Sequence, residues 1–281
     1  MDPDTSGSEP VTTLKIRHLT KLFGGVRAVD DVSFSVRSGE FLALIGPNGA
    51  GKSTCFNMIN GQLAPNAGDI RFSGRSIVGL PPRAIFRMGV GRTFQIAATF
   101  ASMTVLENVQ MGLISHAAQL FGLWRPARVL HREPAIELLR QVGMADAADR
   151  ACRELAYGDV KRVELAIALA NAPRLLLMDE PTAGMAPRER NDLIALVKQL
   201  VVERNMAVLF TEHSMDVVFA HADRVIVLAR GKLIADGAVA AIRDDPQVQE
   251  VYFGTGKTFS RRTAGHQAPR PCTDQSSPSP P

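Results

Sequence analysis

GPNGAGKST, Gly46 to Thr54, directly follows the apolar run FLALI, Phe41 to Ile45. It fits G-x-x-x-x-G-K-[ST] at each fixed position: Gly46, Gly51, Lys52 and Ser53. Glycines let the backbone turn so that several N–H groups face one anion. The helix expected from Lys52 onward adds the positive end of its dipole at the same place. FLALI has no polar alternation, as a strand buried on both faces should not. Strand, glycine loop and helix in this order make a phosphate-binding loop, with Lys52 reaching the terminal phosphates and the Ser53 hydroxyl suited to Mg²⁺.

Working outward, LKIRHL and DVSFSV alternate apolar and polar residues, and GDIRFSG has a glycine at each end. All three read as strands. From about Ala101 to Asn171 the pattern changes. TVLENVQMGLISHAAQL and REPAIELLRQVGM repeat apolar residues at three- and four-residue spacings, which predicts helices. LFGLWRPARV between them reads as a connector, because Gly122 and Pro126 interrupt it. The helical pattern VELAIALA comes next, and then the short apolar runs RLLLMD, AVLFTE and RVIVLA, separated by helical stretches, predict a parallel sheet. RVIVLARGKLIAD predicts a hairpin turning at Arg230-Gly231, and VQEVYFG a small amphipathic helix docking on the core.

A chain of 281 residues, 46% hydrophobic and 21% charged, has the composition of an ordinary globular protein. No window holds the about eighteen uninterrupted apolar residues of a membrane span. MDPDTSGSEP lacks the basic-then-apolar pattern of a secretion signal, so a cytoplasmic chain is expected. Cys55, Cys152 and Cys272 are far apart and lack the close pairs of a zinc site, which predicts reduced thiols. A net charge of +4 is too mild to point to nucleic acid, and no nucleic-acid partner is expected. Residues 1–12 and the Ser-, Pro- and Arg-rich tail 255–281 are expected to be disordered around one block, 13–254.

RLLLMDEP carries Asp179 to the end of a buried strand, where a carboxylate can hold Mg²⁺ through water. The adjacent Glu180 suits a general base for an attacking water. These features alone leave kinases, GTPases, helicases and transport ATPases open. RELAYGDVKR, Arg153 to Arg162, lies a short way upstream and narrows the choice.

From Leu14 to about Gly254 the chain resembles the ATP-binding subunits of ABC transporters, with six motifs in that family's order. The resemblance implies an α/β fold: a P-loop NTPase core with a mixed, largely parallel sheet, an N-terminal antiparallel β subdomain, and an inserted α-helical subdomain at about 96–171. It implies that Phe23 stacks on adenine and that Gly46, Pro47, Asn48, Gly49, Ala50, Gly51, Lys52, Ser53 and Thr54 form the Walker A loop. Gln95 in GRTFQ matches the Q-loop glutamine, a ligand of Mg²⁺ together with Ser53 and Asp179. Glu180 matches the catalytic glutamate and His213 in FTEHS the switch histidine, with Gln95 also at the reaction centre. Leu155, Ala156, Tyr157, Gly158 and Asp159 stand where the family signature usually reads LSGGQ. In the family, those residues close over the ATP held by a second subunit. Pro181 to Ala186 falls at the D-loop.

Two departures stand out. Ala156 replaces the signature serine, which removes one side-chain hydrogen bond to phosphate, and Ala186 stands where the D-loop usually has aspartate. LAYGD, MDEPTAGM, the ISHAAQLFGLW insertion and the ending VQEVYFG resemble the branched-chain amino acid importer group. That resemblance implies a second ATPase subunit, two transmembrane permeases and a periplasmic solute-binding protein. It places the chain peripherally at the cytoplasmic face of the inner membrane, importing a branched-chain or related hydrophobic amino acid, or an amide such as urea. The rival readings are an ABC exporter of lipid, a non-transport ABC ATPase acting on DNA or ribosomes, and a soluble phosphate-loop kinase.

Overall fold

A computed structural model describes residues 11–93, 99–117 and 130–253. Gln95, the connector LFGLWRPARV and the tail 255–281 lie outside the described residues. The chain opens with two long strands, β1 (Thr12–Phe23) and β2 (Val26–Arg37), followed by β3 (Phe41–Ile45) and helix α1 (Lys52–Ile59). Strands β4 (Ala67–Phe72) and β5 (Arg75–Ser76) and helix α2 (Pro82–Arg87) lead to β6 (Val90–Thr93). Three helices come next, α3 (Val105–His116), α4 (Arg132–Gln141) and α5 (Tyr157–Leu169). Strand and helix then alternate through β7 (Leu175–Asp179), α6 (Pro187–Arg204), β8 (Ala207–Thr211), α7 (Met215–His221) and β9 (Arg224–Ala229). The last described elements are β10 (Lys232–Gly237), α8 (Val239–Asp244) and α9 (Pro246–Phe253).

Two sheets result. The first, in the order β2-β1-β4-β5, is antiparallel. The second runs β10-β9-β3-β8-β7-β6, parallel from β9 to β6, with β10 turned back on β9 at Arg230-Gly231. Phe41, Ala43 and Ile45 of β3 enter a core shared with the helices, while Leu42 and Leu44 enter a second core against the antiparallel sheet and α1. Strands β7 and β8 divide their side chains the same way, with Leu176, Met178, Val208 and Phe210 on the helical side. Two buried faces at a period of two explain why these strands read as unbroken apolar runs.

The sequence reading placed no strand at 90–93. VGRT carries little β pattern of its own, and β6 forms because its residues pair with β7 from Val90↔Leu175 to Thr93↔Met178. Helix α3 starts on a reciprocal cap. The Glu107 amide donates to the Thr104 hydroxyl at 3.1 Å, and the Thr104 amide donates to the Glu107 carboxylate at 2.9 Å. One residue further on, buried Asn108 accepts from the Phe100 amide at 2.7 Å and donates to the Phe100 and Thr104 carbonyls. It thereby fastens the segment before α3 to the helix.

Candidate functional site

The loop from Gly46 to Gly51 joins the end of β3 to α1, and two of its glycines are sterically required. Gly46 has φ 154°, and a Cβ there would lie 2.2 Å from the Leu228 carbonyl. Gly51 has φ 103°, and a Cβ there would lie 2.4 Å from the Ala28 carbonyl. No L side chain fits either position without moving backbone. Together with Phe23 and Ala28, residues 48–54 and Glu180 line a cleft of about 340 Å³. Phe23 is half-exposed at its rim, with the Lys21 ammonium 5.3 Å from its ring centre.

Lys52 is buried and bends back over its own loop, donating to the Gly46 carbonyl at 2.6 Å and the Pro47 carbonyl at 3.1 Å. Burial pushes its pKa below the ordinary lysine range, while the charges of Glu180 and Asp179 pull it up. Asp179, at the end of β7, accepts from the Thr211 hydroxyl at 2.8 Å, and its other oxygen lies 3.5 Å from the Arg92 guanidinium. Glu180 has left-handed backbone, φ 50°, held by its amide donating to the Thr211 hydroxyl at 3.0 Å. This turn lifts the Glu180 carboxylate into the cleft and sets it 2.7 Å from the His213 ring Nε2. Strand order explains the meeting: β7 and β8 are neighbours, and both acids and the histidine leave the same end of the sheet.

The structure therefore brings together Phe23, the phosphate loop, Asp179, Glu180 and His213. It does not bring the signature to this cleft, whose lining includes none of Leu155 to Asp159. Those residues open α5, with Ala156 at the N-cap and no side-chain cap bond. Ala156 and Tyr157 are exposed, Asp159 is half-buried, and Gly158 is buried against the Glu189 carboxylate. Gln95 lies outside the described residues, two positions after the end of β6.

Several functional neighbours escaped the sequence reading. Arg92 was passed over inside GRTFQ. Buried Glu212 accepts from the Thr182 amide at 3.0 Å and hydroxyl at 2.6 Å and from the His213 amide at 3.2 Å, joining the turn after β7 to His213. The phenol of Tyr252 in α9 sits beside the Gly46 backbone, and burial pushes its pKa well up. An acid next to His213 in FTEHS was visible in the sequence, but its partner thirty residues upstream was not.

Ser53 and Asp179 offer hard oxygen donors, which suit Mg²⁺. Among the described residues there is no cluster of three or more His, Cys, Asp or Glu side chains that could hold a metal alone.

Comparison with known proteins agrees with this geometry. Residues 29–183 match the ABC transporter family, and residues 232–258 match the branched-chain amino acid ATP-binding cassette transporter family. The high-affinity branched-chain amino acid transport ATP-binding protein BraF of Pseudomonas aeruginosa is 40% identical over 254 residues, covering 88% of this chain and 99% of that protein. LivG of Salmonella typhimurium, with the same description, is 38% identical over 257 residues at the same coverage. Among solved structures, the ADP conformation of an ATP-binding cassette of an ABC transporter aligns with a TM-score of 0.79 at 35% identity, covering 86% of this chain and 99% of that one. A dimeric cassette in a post-hydrolysis state, bound to ADP and phosphate, aligns at 0.69 and 26% identity, covering 80% and 98%. On its phosphate loop, its paired acids and these likenesses along most of its length, the chain belongs to the ABC transporter family, as an ATPase subunit of the branched-chain amino acid group.

Proposed function

We propose that the chain powers import of branched-chain or related hydrophobic amino acids, or an amide such as urea, by binding and hydrolysing ATP at the cytoplasmic face of the membrane. Its partners in this reading are a second ATPase subunit, two permeases and a periplasmic solute-binding protein. The observation that carries the hydrolytic part is that Lys52 and Glu180 line one cleft, with the His213 ring 2.7 Å from the Glu180 carboxylate. The match of residues 232–258 to the branched-chain group favours that cargo over lipid export. Among the described residues no helix is long and apolar enough to cross a membrane.

Phosphate oxygens replace the Gly46 and Pro47 carbonyls as acceptors for Lys52, and the backbone N–H groups opening α1 receive the rest of the chain of phosphates. Phe23 stacks on adenine at the rim. Ser53, Asp179 and Gln95 would hold Mg²⁺, which would neutralise phosphate charge. Glu180 takes a proton from water as the water oxygen bonds to the γ-phosphorus and the bond to ADP breaks. His213 keeps the Glu180 carboxylate aimed and faces the γ-phosphate. In this reading Leu155 to Asp159 of each subunit close over the nucleotide of the other. The exposure of Ala156 and Tyr157 supports this, as does the dimeric relative holding ADP and phosphate. Separation after hydrolysis then moves the permeases, because the interface has two discrete states.

Reconstitution tests this. Proteoliposomes containing the chain, its neighbouring ATPase and two permeases should take up radiolabelled leucine, isoleucine, valine or urea only with ATP and a loaded binding protein. Uptake of none of these, with ATP-driven lipid movement instead, would replace the reading by export.

A further inference from the structure

Arg92 is four-residue strand β6's one charged side chain, and its head is 8% exposed. Its Nη1 donates to the Asn57 amide oxygen on α1 at 2.9 Å and to the Gln62 amide oxygen at 3.1 Å. Its Nη2 lies 3.5 Å from Oδ2 of Asp179, itself 9% exposed. The anchors to Asn57 and Gln62 hold the guanidinium in place, while the contact with Asp179 is longer than a tight charge-assisted hydrogen bond. Asp179 thus has one oxygen on Thr211 and the other facing a cation that can be exchanged. Lys52 and Arg92 face Asp179 and Glu180, two charges of each sign.

We propose that Arg92 is a positioning residue that stands in for the metal: its guanidinium neutralises Asp179 before Mg²⁺ arrives and gives the carboxylate up on loading. The inference rests on the reading of Asp179 as the metal-binding carboxylate. Two consequences follow from competition for one buried anion. Metal-free nucleotide binds better with Arg92 present, because an uncompensated Asp179 would repel the phosphates. Mg²⁺ binds less tightly with Arg92 present, because the ion must displace a charge already in place.

The test uses full-length protein and a fluorescent, non-hydrolysable ATP analogue, with dissociation constants measured in EDTA and in excess Mg²⁺. The ratio of the two constants should rise about tenfold in Arg92→Gln, a coupling of ordinary size. Arg92→Lys, which keeps the charge, should stay near the native ratio. Asp179→Asn should lower the ratio, and adding Arg92→Gln to it should change nothing further. An unaltered ratio in Asp179→Asn would bring down the metal assignment and the inference with it. A lowered ratio there, with no change in Arg92→Gln, would keep the metal assignment and overturn the role of Arg92. A readout on the native chain does not depend on the Gln variant folding. With ¹⁵N-labelled arginine, the Nε signal assigned by its loss in Arg92→Lys should move when Mg²⁺ joins the nucleotide complex. A stationary signal would refute the exchange.

Discussion

Glu180 adopts left-handed backbone, which costs a residue with a Cβ about 1 kcal/mol or more, and the Thr211 hydroxyl and carbonyl hold it there. The carboxylate so placed meets His213. Glu180→Gln should cut ATP hydrolysis by about 100-fold or more while nucleotide binding persists, measured as steady-state phosphate release beside analogue binding. His213→Ala should lower the same rate with a smaller change in affinity. At Cys55 the effect of burial is inertness. Its thiol is fully buried on α1, and burial pushes its pKa up to about 12. Cys152 is buried and shifted in the same direction. Neither should be alkylated by iodoacetamide at pH 8 in the native protein, and both should be in denaturant, as read by peptide mass mapping.

Helix α3 shows how an element is secured where its intrinsic preference is modest. Its first turn rests on the Thr104–Glu107 box, and Thr104→Ala should destabilise the fold by about 1 kcal/mol. Asn108 is a heavier matter. It is buried, accepts from the Phe100 amide and turns its own amide N–H groups to the Phe100, Met103 and Thr104 carbonyls and the Cys152 sulfur, so Asn108→Ala leaves polar groups without partners. The expected loss is about 1–3 kcal/mol in urea denaturation, with faster hydrogen exchange at Phe100. The helix was legible in the apolar spacing of TVLENVQMGLISHAAQL; its Thr104–Glu107 cap and the role of Asn108 were not read, because both concern polar partners at a turn that apolar periodicity does not describe. Strand β6 was missed for a related reason: four residues with a glycine and an arginine become a strand only beside β7.

At the scale of the molecule, the cleft and the signature residues at the start of α5 are separate: none of Leu155 to Asp159 lines the cleft. Glu180→Gln protein with ATP and its neighbouring subunit should elute as a dimer in size-exclusion chromatography, and Lys52→Ala protein should not. A Glu180→Gln protein that stayed monomeric under these conditions would count against the proposed clamp. Ala156 weakens the grip by one side-chain hydrogen bond, so Ala156→Ser should shift the dimer toward lower ATP concentration by about tenfold, the effect of a contact of about 1.5 kcal/mol.

The sequence by itself determined the local parts: the phosphate loop, because glycine geometry and helix start lie within nine residues, and the buried strands, because two covered faces leave a continuous apolar run. It also supplied Asp179 and Glu180 as neighbours at a strand end. Only the tertiary structure decided that Arg92 faces Asp179, that Thr211 holds both Asp179 and Glu180, and that Glu212 joins Thr182 to His213. Those contacts depend on β6, β7 and β8 lying side by side, and strand order is set by how whole faces bury their side chains, which no short run of residues encodes.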